Sequence, residues 1–249
     1  MAPRDWNADS YHQVSTPHQD WGRAVIGRLE LSGDETVLDL GCGTGRITRA
    51  LLEQLPDGRV IAVDGSASMA ERARAELPAD RVEVIHADLL ELAIPEPADA
   101  AISTATFHWI ADHDRLFANV HAALRPGAQF VVQCGGKGNV DAVLAAITQV
   151  TAQREPFGAL AGWPGPWNYA TPEQTRERLE RAGFDVADCW LNDAPVAVEQ
   201  PFEFFKTVIL GAHLDRLPAE QHDAFTAAVV AHAPQVVDYV RLNWVARRR

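Results

Sequence analysis

The chain has few cysteines, no apolar run long enough to span a bilayer, and no excess of basic residues. Its three cysteines, Cys42, Cys134 and Cys189, are far apart and form no CxxC pair. This pattern predicts free thiols in a reducing compartment rather than a disulfide framework or a zinc site, so we expect no metal centre. Residues 1–13 are polar and mixed in charge, unlike a secretory signal. We therefore expect a cytoplasmic protein without a membrane partner.

The formal net charge of −12 disfavours nucleic acid as a partner, because phosphate backbones repel an acidic surface. The one basic run, Arg247 to Arg249, stands at the extreme end and is interpreted as a solvated tail. We expect a small-molecule substrate instead. The sequence does not indicate an oligomeric state.

From residue 35 onward, short apolar runs alternate with segments of helical period, as in βαβ units around a parallel sheet. The chain contains no internal repeat and no low-complexity linker. Arg125-Pro126-Gly127 predicts a turn, and Thr171-Pro172-Glu173 predicts a helix start. The predicted strands are 36–40, 59–64, 82–85, 98–103, 129–133, 184–191 and 239–245. The predicted helices are 47–55, 67–76, 113–124, 140–150, 171–182, 202–214 and 219–232.

A glycine-rich turn follows the first predicted strand and opens a helix, where a nucleotide-binding turn belongs. The dinucleotide fingerprint is G-x-G-x-x-G, but here Gly41, Gly43 and Gly45 give G-x-G-x-G, with Asp39 ahead of them. Asp39 is suited to the ammonium group of a cofactor with an amino-acid tail, which argues against a nicotinamide-dependent oxidoreductase. Alternatively, the Asp39 carboxylate accepts hydrogen bonds from the turn amides.

Two more aspartates end the next two predicted strands. Asp64 is suited to both hydroxyls of a ribose. Asp88, followed by Leu89, is suited to an adenine amino group, with the neighbouring amide reading a ring nitrogen. A single aspartate at such a place is usually a turn or cap residue. Three on consecutive strands favour a nucleoside site.

The run from Thr36 to Gln133 resembles the cofactor half of class I S-adenosylmethionine-dependent methyltransferases. The matching motifs are VLDLGCGTG, VIAVDGSASM, VIHADLLEL, DAAISTATFHWI and LRPGAQFVV. The resemblance implies a Rossmann-like α/β fold: a seven-stranded, mostly parallel sheet with helices on both faces, a reversed last strand and a helical lid. It also implies S-adenosylmethionine as cofactor, with S-adenosylhomocysteine as product. The cofactor-binding set is then Tyr11, Asp39, Gly41, Cys42, Gly43, Asp64, Gly65, Ser66, Met69, Asp88, Leu89 and Thr104.

Residues 103–109, with Asp112 and His113, resemble the SNAxxQW-x-x-DH pattern of trans-aconitate methyltransferases and of the carrier-protein malonyl methyltransferase of biotin synthesis. The layout of residues 213–248 is similar to the trans-aconitate group. So are Trp6, Tyr11 and residues 19–21, which in that group fold over the cofactor. His108 stands where the group usually has Gln, and residues 134–139 also depart from its pattern.

Methyl transfer is an in-line displacement, so alignment of the reactants supplies much of the acceleration. A carboxylate acceptor needs no base, whereas a hydroxyl, amine or carbon acceptor often does. His108 is the candidate catalytic base or substrate contact, followed by His12 and His18, although most histidines are structural. Lys137 or Arg241 would pair with an anionic substrate, unless each is a solvated surface charge. The substrate set is His12, His108, Trp109, Lys137, Trp163, Trp167 and Tyr169; the three aromatic residues of the loop are otherwise anchors on the sheet.

We expect one methyltransferase domain over residues 1–249, with four parts. These are an N-terminal lid (1–30), a cofactor-binding core (31–135), substrate-side helices with the sixth strand (136–232), and a final strand and tail (233–249). The predicted acceptor is a small molecule, with a carboxylate as one option. The alternatives are a carrier-protein-bound acyl group, a natural-product O-, N- or C-acceptor, and a protein that binds the cofactor without transferring its methyl group.

Overall fold

The computed structural model describes residues 5–6, 16–152 and 156–249, with the backbone alone for residues 16–20. The main strands are β1 (Thr36–Leu40), β2 (Arg59–Asp64), β3 (Val82–His86), β4 (Ala98–Thr104), β5 (Leu124–Gly135) and β6 (Phe184–Asp193). Two short strands, β7 (Val196–Ala197) and β8 (Val236–Val237), form a separate ladder before β9 (Val240–Arg248). The large sheet has the order β3-β2-β1-β4-β5-β9-β6, and β9 is antiparallel to both of its neighbours. The predicted sheet with its reversed last strand is confirmed.

Helices cover both faces of this sheet because its strands are apolar on both sides. The helices are α1 (Thr16–Ile26), α2 (Arg46–Leu52), α3 (Ala67–Glu76), α4 (His113–Ala123), α5 (Asp141–Ala152), α6 (Pro172–Arg181), α7 (Pro201–Phe204), α8 (Gly211–Leu214) and α9 (His222–His232). In β1, Leu38 and Leu40 join the core beneath α4 and α6, whereas Val37 joins the core beneath α1, α2 and α3. This alternation is the two-residue period of a strand.

A third apolar cluster lies apart from the sheet and contains residues of α5, the loop 156–170, α7, α8, α9 and β8. We call these segments the cap. Tyr239, just before β9, belongs to the same cluster, and Trp21 packs against it. The cap therefore has a core of its own. No helix in the described part of the chain is long and apolar enough to cross a membrane.

The structure corrects two predicted elements and adds a third feature that was not predicted. β5 begins at Leu124, because Leu124 pairs with Ala98 of β4. Residues 125–127 therefore belong to the strand, across a register shift, and do not form the predicted turn before a strand that starts at residue 129. The predicted helix 202–214 is divided, because Leu210 donates its amide to the carbonyl of Phe205 and widens that turn to a π-helix over Phe205–Ile209. The ladder of β7 and β8 lies outside every predicted strand.

Other boundaries differ by a few residues, which is usual at the ends of elements. α2 ends at Leu52 instead of residue 55, and α9 begins at His222 after a 3₁₀ turn. The start of α6 is as predicted. The Thr171 hydroxyl accepts the Gln174 amide, and the Gln174 side chain accepts the Thr171 amide, which makes a capping box.

Candidate active site

A cavity of about 540 Å³ lies at the carboxyl ends of the parallel strands and extends to the cap. Its sheet side is formed by Gly41, Asp64, Asp88 and Thr104, which end or follow β1 to β4. The strand order reverses between β1 and β4, and ligands of open α/β sheets bind at such a switch point. The volume is within the range of about 300–1,000 Å³ typical of small-molecule sites.

The glycine loop brings bare backbone to this cavity. The amides of Gly41 and Cys42 donate to the carbonyl of Val63, at 2.7 and 3.0 Å, which ties the loop to β2. Gly41 has a φ of 84°, and a Cβ there would lie 2.1 Å from Oγ1 of Thr106. Gly43 has a φ of 56°, and a Cβ there would meet no atom within 4 Å. Gly43 thus leaves open space that a ligand can occupy.

Asp39 lies beneath this loop, 1% exposed, and is not among the residues that line the cavity. The hydroxyl of Thr48 donates to its Oδ2 at 2.6 Å, while its Oδ1 has no hydrogen-bond partner among the described residues. Burial raises the pKa of Asp39 to about 6, with a contribution from the nearby carboxylate of Asp64. An incompletely satisfied buried carboxylate under the loop is suited to a cationic ligand above it.

Asp64 binds the loop as well as facing the cavity. Its Oδ2 accepts the Gly43 amide and its Oδ1 accepts the Ser66 amide, both at 2.8 Å. Burial raises its pKa, and these two bonds partly oppose the rise. Each carboxylate oxygen keeps further acceptor capacity. Asp64 can therefore accept hydroxyl hydrogens from a ligand while it holds the turn.

Asp88 and Leu89 form the next part of the wall. Oδ1 of Asp88 accepts the Leu90 amide at 2.9 Å and caps the 3₁₀ turn Leu89–Glu91. Asp88 therefore has the turn-capping role that the sequence analysis gave as the alternative to ligand binding. Both residues also line the cavity, so the two roles coexist.

Trp6 is a wall residue absent from the predicted site set. Its amide donates to Oγ of Ser66 at 3.1 Å, and its ring meets Trp109 edge to face at 4.9 Å between centroids. Asp5 accepts hydrogen bonds from the Ser66 hydroxyl and the Ser68 amide, and these bonds lower the pKa of its carboxylate. Serines at the start of α3 thus dock this N-terminal pair at the cavity.

On the cap side, His108 is 7% exposed and its ring orientation is defined. Its Nδ1 accepts the backbone amide of Gly135 at 3.2 Å, so the neutral ring carries its hydrogen on Nε2. The ring of Tyr169 stacks on it with centroids 5.8 Å apart. In this tautomer, Nε2 is a hydrogen-bond donor.

Arg241 is buried rather than solvated, with 1% exposure, and it lines the cavity. β9 is an internal strand, and Arg241 is paired with Gly135 of β5 and Asn192 of β6. Its guanidinium carbon lies 4.7 Å from the ring centroid of Trp21 and 6.0 Å from that of Tyr239. Arg241 is buried because β9 is paired with a strand on each side. It also lies within the reversed strand predicted over residues 239–245.

Most predicted site residues share this one cavity: Gly41, Gly43, Asp64, Gly65, Ser66, Met69, Asp88, Leu89, Thr104, His108, Trp109, Trp163, Trp167 and Tyr169. Cys42 is buried beside Asp39 outside the wall, and burial raises the pKa of its thiol. Lys137 is exposed and lies outside the wall, at the start of the turn that follows β5. Tyr11 and His12 lie outside the described residues, as does the side chain of His18.

Asn139 and Tyr239 also line the cavity, and sequence reasoning missed both. Two non-glycine residues of the wall, Ala105 and Val140, have positive φ angles of 56° and 53°. Strained backbone of this kind concentrates at functional sites. It requires tertiary contacts to hold it, so no local sequence pattern reveals it.

Comparisons with known proteins agree with this geometry. Residues 37–127 match a family described as a methyltransferase domain. The trans-aconitate 2-methyltransferase of Paracidovorax citrulli is 34% identical over 273 aligned residues, which cover 98% of this chain and 98% of that protein. The chain belongs to the class I S-adenosylmethionine-dependent methyltransferases. A second trans-aconitate 2-methyltransferase, from Azoarcus sp., is 30% identical over 234 residues, covering 91% of this methyltransferase and 88% of the relative.

A solved structure shares the fold of this methyltransferase at lower identity. The S-adenosylmethionine-dependent methyltransferase of Mesorhizobium loti has a TM-score of 0.56 and 22% identity, with 92% of this chain and 98% of that chain covered. S-adenosylmethionine is the cofactor of the family. The bare loop at Gly43 and Oδ1 of Asp39, which has no hydrogen-bond partner in the described part of the chain, fit a ligand with a cationic amino-acid tail.

Proposed function

We propose that this methyltransferase transfers a methyl group to a carboxylate oxygen of a small-molecule acid. The observation that carries the proposal is Arg241, a buried positive charge in the wall of the cap half of the cavity. A guanidinium in a cavity wall presents planar N–H donors whose geometry matches the two oxygens of a carboxylate. The names of the two trans-aconitate relatives, which are 30–34% identical, support an acidic substrate.

The state of His108 supports the same acceptor. With Nδ1 engaged by the amide of Gly135, the neutral ring is arranged to donate from Nε2 rather than to remove a proton. A carboxylate is already deprotonated at neutral pH and needs no base. We therefore assign His108 to substrate binding, where its Nε2–H donates to a substrate oxygen. A hydroxyl or amine acceptor, as in many natural products, would need a base to remove its proton. In this tautomer Nε2 of His108 already carries a hydrogen and Nδ1 accepts the Gly135 amide, so His108 is not arranged to act as that base.

The cofactor half would hold S-adenosylmethionine through residues of the strand ends. Gly41 and Gly43 would lie against the methionine portion, Asp64 would accept the ribose hydroxyls, and Asp88 with Leu89 would meet the adenine. Met69 and Trp6, both in the wall, would cover the nucleoside. When bound, the cofactor supplies a methyl group activated by a sulfonium.

The protein's contribution to the reaction is alignment and exclusion of water. The aromatic side chains of the cavity wall remove the acceptor from water, while Arg241 and His108 orient its carboxylate. These side chains are Trp109, Trp163, Trp167 and Tyr169. The carboxylate oxygen provides the electron pair of the new C–O bond, the pair of the broken C–S bond stays on sulfur, and no proton moves. Positioning of this kind supplies about 7–11 kcal/mol in favourable intramolecular reactions.

A carrier-protein-bound substrate is not favoured by the described surface. An acidic carrier would need a basic rim, but the exposed arginine of the lining, Arg216, is followed by the exposed residues Pro218, Glu220 and Asp223. The net charge of −12 adds repulsion.

The first test is calorimetric titration with S-adenosylmethionine, S-adenosylhomocysteine and NADH, using the wild type, Asp64→Ala and the exposed control Asp57→Ala. We expect micromolar binding of the first two ligands, lost only in Asp64→Ala, and no binding of NADH. The second test offers a labelled methyl donor with a panel of acids, alcohols, amines and an acyl carrier. Transfer to acids supports the proposal; transfer to another class, or cofactor binding without transfer to any acceptor, rejects it.

A further inference from the structure

Arg216 brings an exposed positive charge to the wall of the cavity. Its guanidinium carbon lies 4.0 Å from the ring centroid of Trp163, another wall residue, so the guanidinium rests on the face of that ring. No carboxylate of the described residues, that of the neighbouring Asp215 included, lies within 4.0 Å of this guanidinium. The exposed Arg247, by contrast, pairs with Glu30 at 2.6 Å. The N–H groups of Arg216 can therefore bind an anionic group of a ligand.

The contacts beneath Arg216 hold its guanidinium in place. The Arg216 amide donates to the carbonyl of His213 at 3.1 Å, and the buried Leu217 follows it in the chain. Trp163 packs edge to face on His213, which is 1% exposed, with 4.8 Å between the centroids. Burial, and then the charge of Arg216, lower the pKa of His213 to about 4, so this imidazole is neutral at pH 7. A guanidinium fixed on a ring in this way loses little freedom when it binds a ligand.

Arg216 lies at a more exposed place than the residue assigned to the reacting carboxylate. It stands in the turn after α8, in the cap, and is exposed, whereas His108 follows β4 and is 7% exposed. The groups that react are held away from water in an active site, because removal of water strengthens the contacts that align them. The group that meets Arg216 is therefore a different part of the acceptor from the one that attacks the methyl carbon.

We infer that Arg216 binds a second, non-reacting carboxylate of the acceptor and thereby selects acids that carry a charge at both ends. The inference rests on the proposed methylation of a carboxylate and adds a residue that determines its specificity. A guanidinium offers two parallel N–H donors to the two oxygens of a carboxylate. A neutral group in the same place accepts weaker hydrogen bonds, so Arg216 favours the charged acceptor.

The chemistry gives the contact with Arg216 a distinct kinetic signature. During transfer, an oxygen of the reacting carboxylate provides the electron pair of the new C–O bond, and the pair of the broken C–S bond stays on sulfur. The second carboxylate takes no part and keeps its charge from the bound acid to the ester product. The contact with Arg216 is therefore equally strong in the ground state and in the transition state. Loss of such a contact raises KM and leaves kcat unchanged.

The experiment compares each linear dicarboxylic acid from succinate to suberate with its half-amide, in which a neutral carboxamide replaces one carboxylate. Methyl transfer is followed by mass spectrometry, and kcat/KM of each diacid is corrected for its two equivalent carboxylates. The wild type is tested beside Arg216→Gln, Arg216→Lys and the control Arg115→Gln. Arg115 is exposed and lies outside the cavity wall, so its replacement changes the net charge equally without touching the site. Circular dichroism, with calorimetric binding of S-adenosylhomocysteine, separates a misfolded variant from a specific defect.

We expect the wild type to prefer the diacid over its half-amide about three- to tenfold in kcat/KM at the chain length that spans the cavity. Arg216→Gln should remove this preference by raising KM for the diacid with kcat kept, and Arg115→Gln should resemble the wild type. Arg216→Lys should keep part of the preference, because the charge remains without the planar fork of donors. Equal use of diacids and half-amides by the wild type, or a preference that survives in Arg216→Gln, overturns the inference and leaves carboxylate methylation standing. If no acid of this series or of the broader panel is methylated although S-adenosylhomocysteine binds, the proposed function itself fails.

Discussion

At the scale of single residues, Asp39 couples stability to cofactor binding. Its pKa is raised from 3.8 to about 6, first by burial. The folded state therefore holds the proton more tightly than the unfolded chain between these values, so the free energy of unfolding contributed by Asp39 falls as pH rises through this window. A shift of two pKa units corresponds to about 3 kcal/mol.

We expect Asp39→Asn to stabilise the ligand-free protein at pH 7, by up to about 3 kcal/mol, and to weaken binding of the cationic cofactor. Urea unfolding at pH 4 and pH 7 measures the first effect, and calorimetry measures the second. The gain should shrink at pH 4, where Asp39 is largely protonated in the folded state. Equal effects at both pH values would contradict the assignment of the gain to this charge.

His108 offers a second test at the same scale, because its assigned role is to accept from Gly135 and donate to the substrate. Asn preserves one acceptor and one donor at this position, whereas Leu preserves neither. We expect His108→Asn to retain most of kcat/KM and His108→Leu to lose about 10- to 100-fold, the value of a buried hydrogen bond of about 1–3 kcal/mol. Equal losses would indicate a role in proton transfer instead.

At the scale of elements, two glycines with positive φ allow the cost of backbone strain to be distinguished from the loss of space for a ligand. Gly43 and Gly127 both have positive φ, of 56° and 81°, and a Cβ at either would meet no protein atom within 4 Å. Substitution by Ala should cost each variant about 1–2 kcal/mol of stability from strain. Only Gly43 lies in the cavity wall. We therefore expect Gly43→Ala to lose cofactor affinity while Gly127→Ala keeps it, as measured by titration with S-adenosylhomocysteine.

The elements also show which parts of the fold are readable from sequence. Strands β1 and β2, together with helix α3, have the predicted bounds, because their apolar periods and flanking turns are local. The predicted start of β5, at residue 129, was wrong because pairing of Leu124 with Ala98 outweighs the turn preference of residues 125–127. The division of the 202–214 helix depends on packing within the cap.

The same distinction applies to the site. Asp64 and Asp88 were identified because strand ends of a parallel sheet converge, so position along the chain implies position in space. Asn139 and Tyr239 reach the cavity from segments far apart in sequence, and only the tertiary fold brings them together, whereas Arg241 and Trp6 were already named from the sequence. Lys137 lies two residues beyond the end of β5, yet it is exposed and does not line the cavity. Closeness to a strand end along the chain therefore does not by itself place a side chain in the site.

At the scale of the whole molecule, the cavity lies between one apolar cluster of the sheet, which supplies Leu89, and the cluster of the cap, which supplies Ile209 and Tyr239. The cofactor half carries Asp64 and Asp88, whereas the other half carries Arg241 and Arg216 with Asp215, so the two halves differ in charge. The protein as a whole, however, has a negative net charge.

The net charge of −12 should therefore act oppositely on the two ligands. It attracts the positively charged cofactor and repels an anionic acceptor, and salt weakens both effects because the Debye length falls to about 8 Å at physiological ionic strength. We expect kcat/KM for a carboxylate acceptor to rise severalfold between about 10 and 150 mM salt, and the affinity for S-adenosylmethionine to fall over the same range. An uncharged competitive ligand of the cap half serves as the control and should show no trend. A fall in kcat/KM for the acceptor with added salt would mean that the local field of Arg241 and Arg216 dominates the approach of the substrate, and the repulsion inferred from net charge would be wrong.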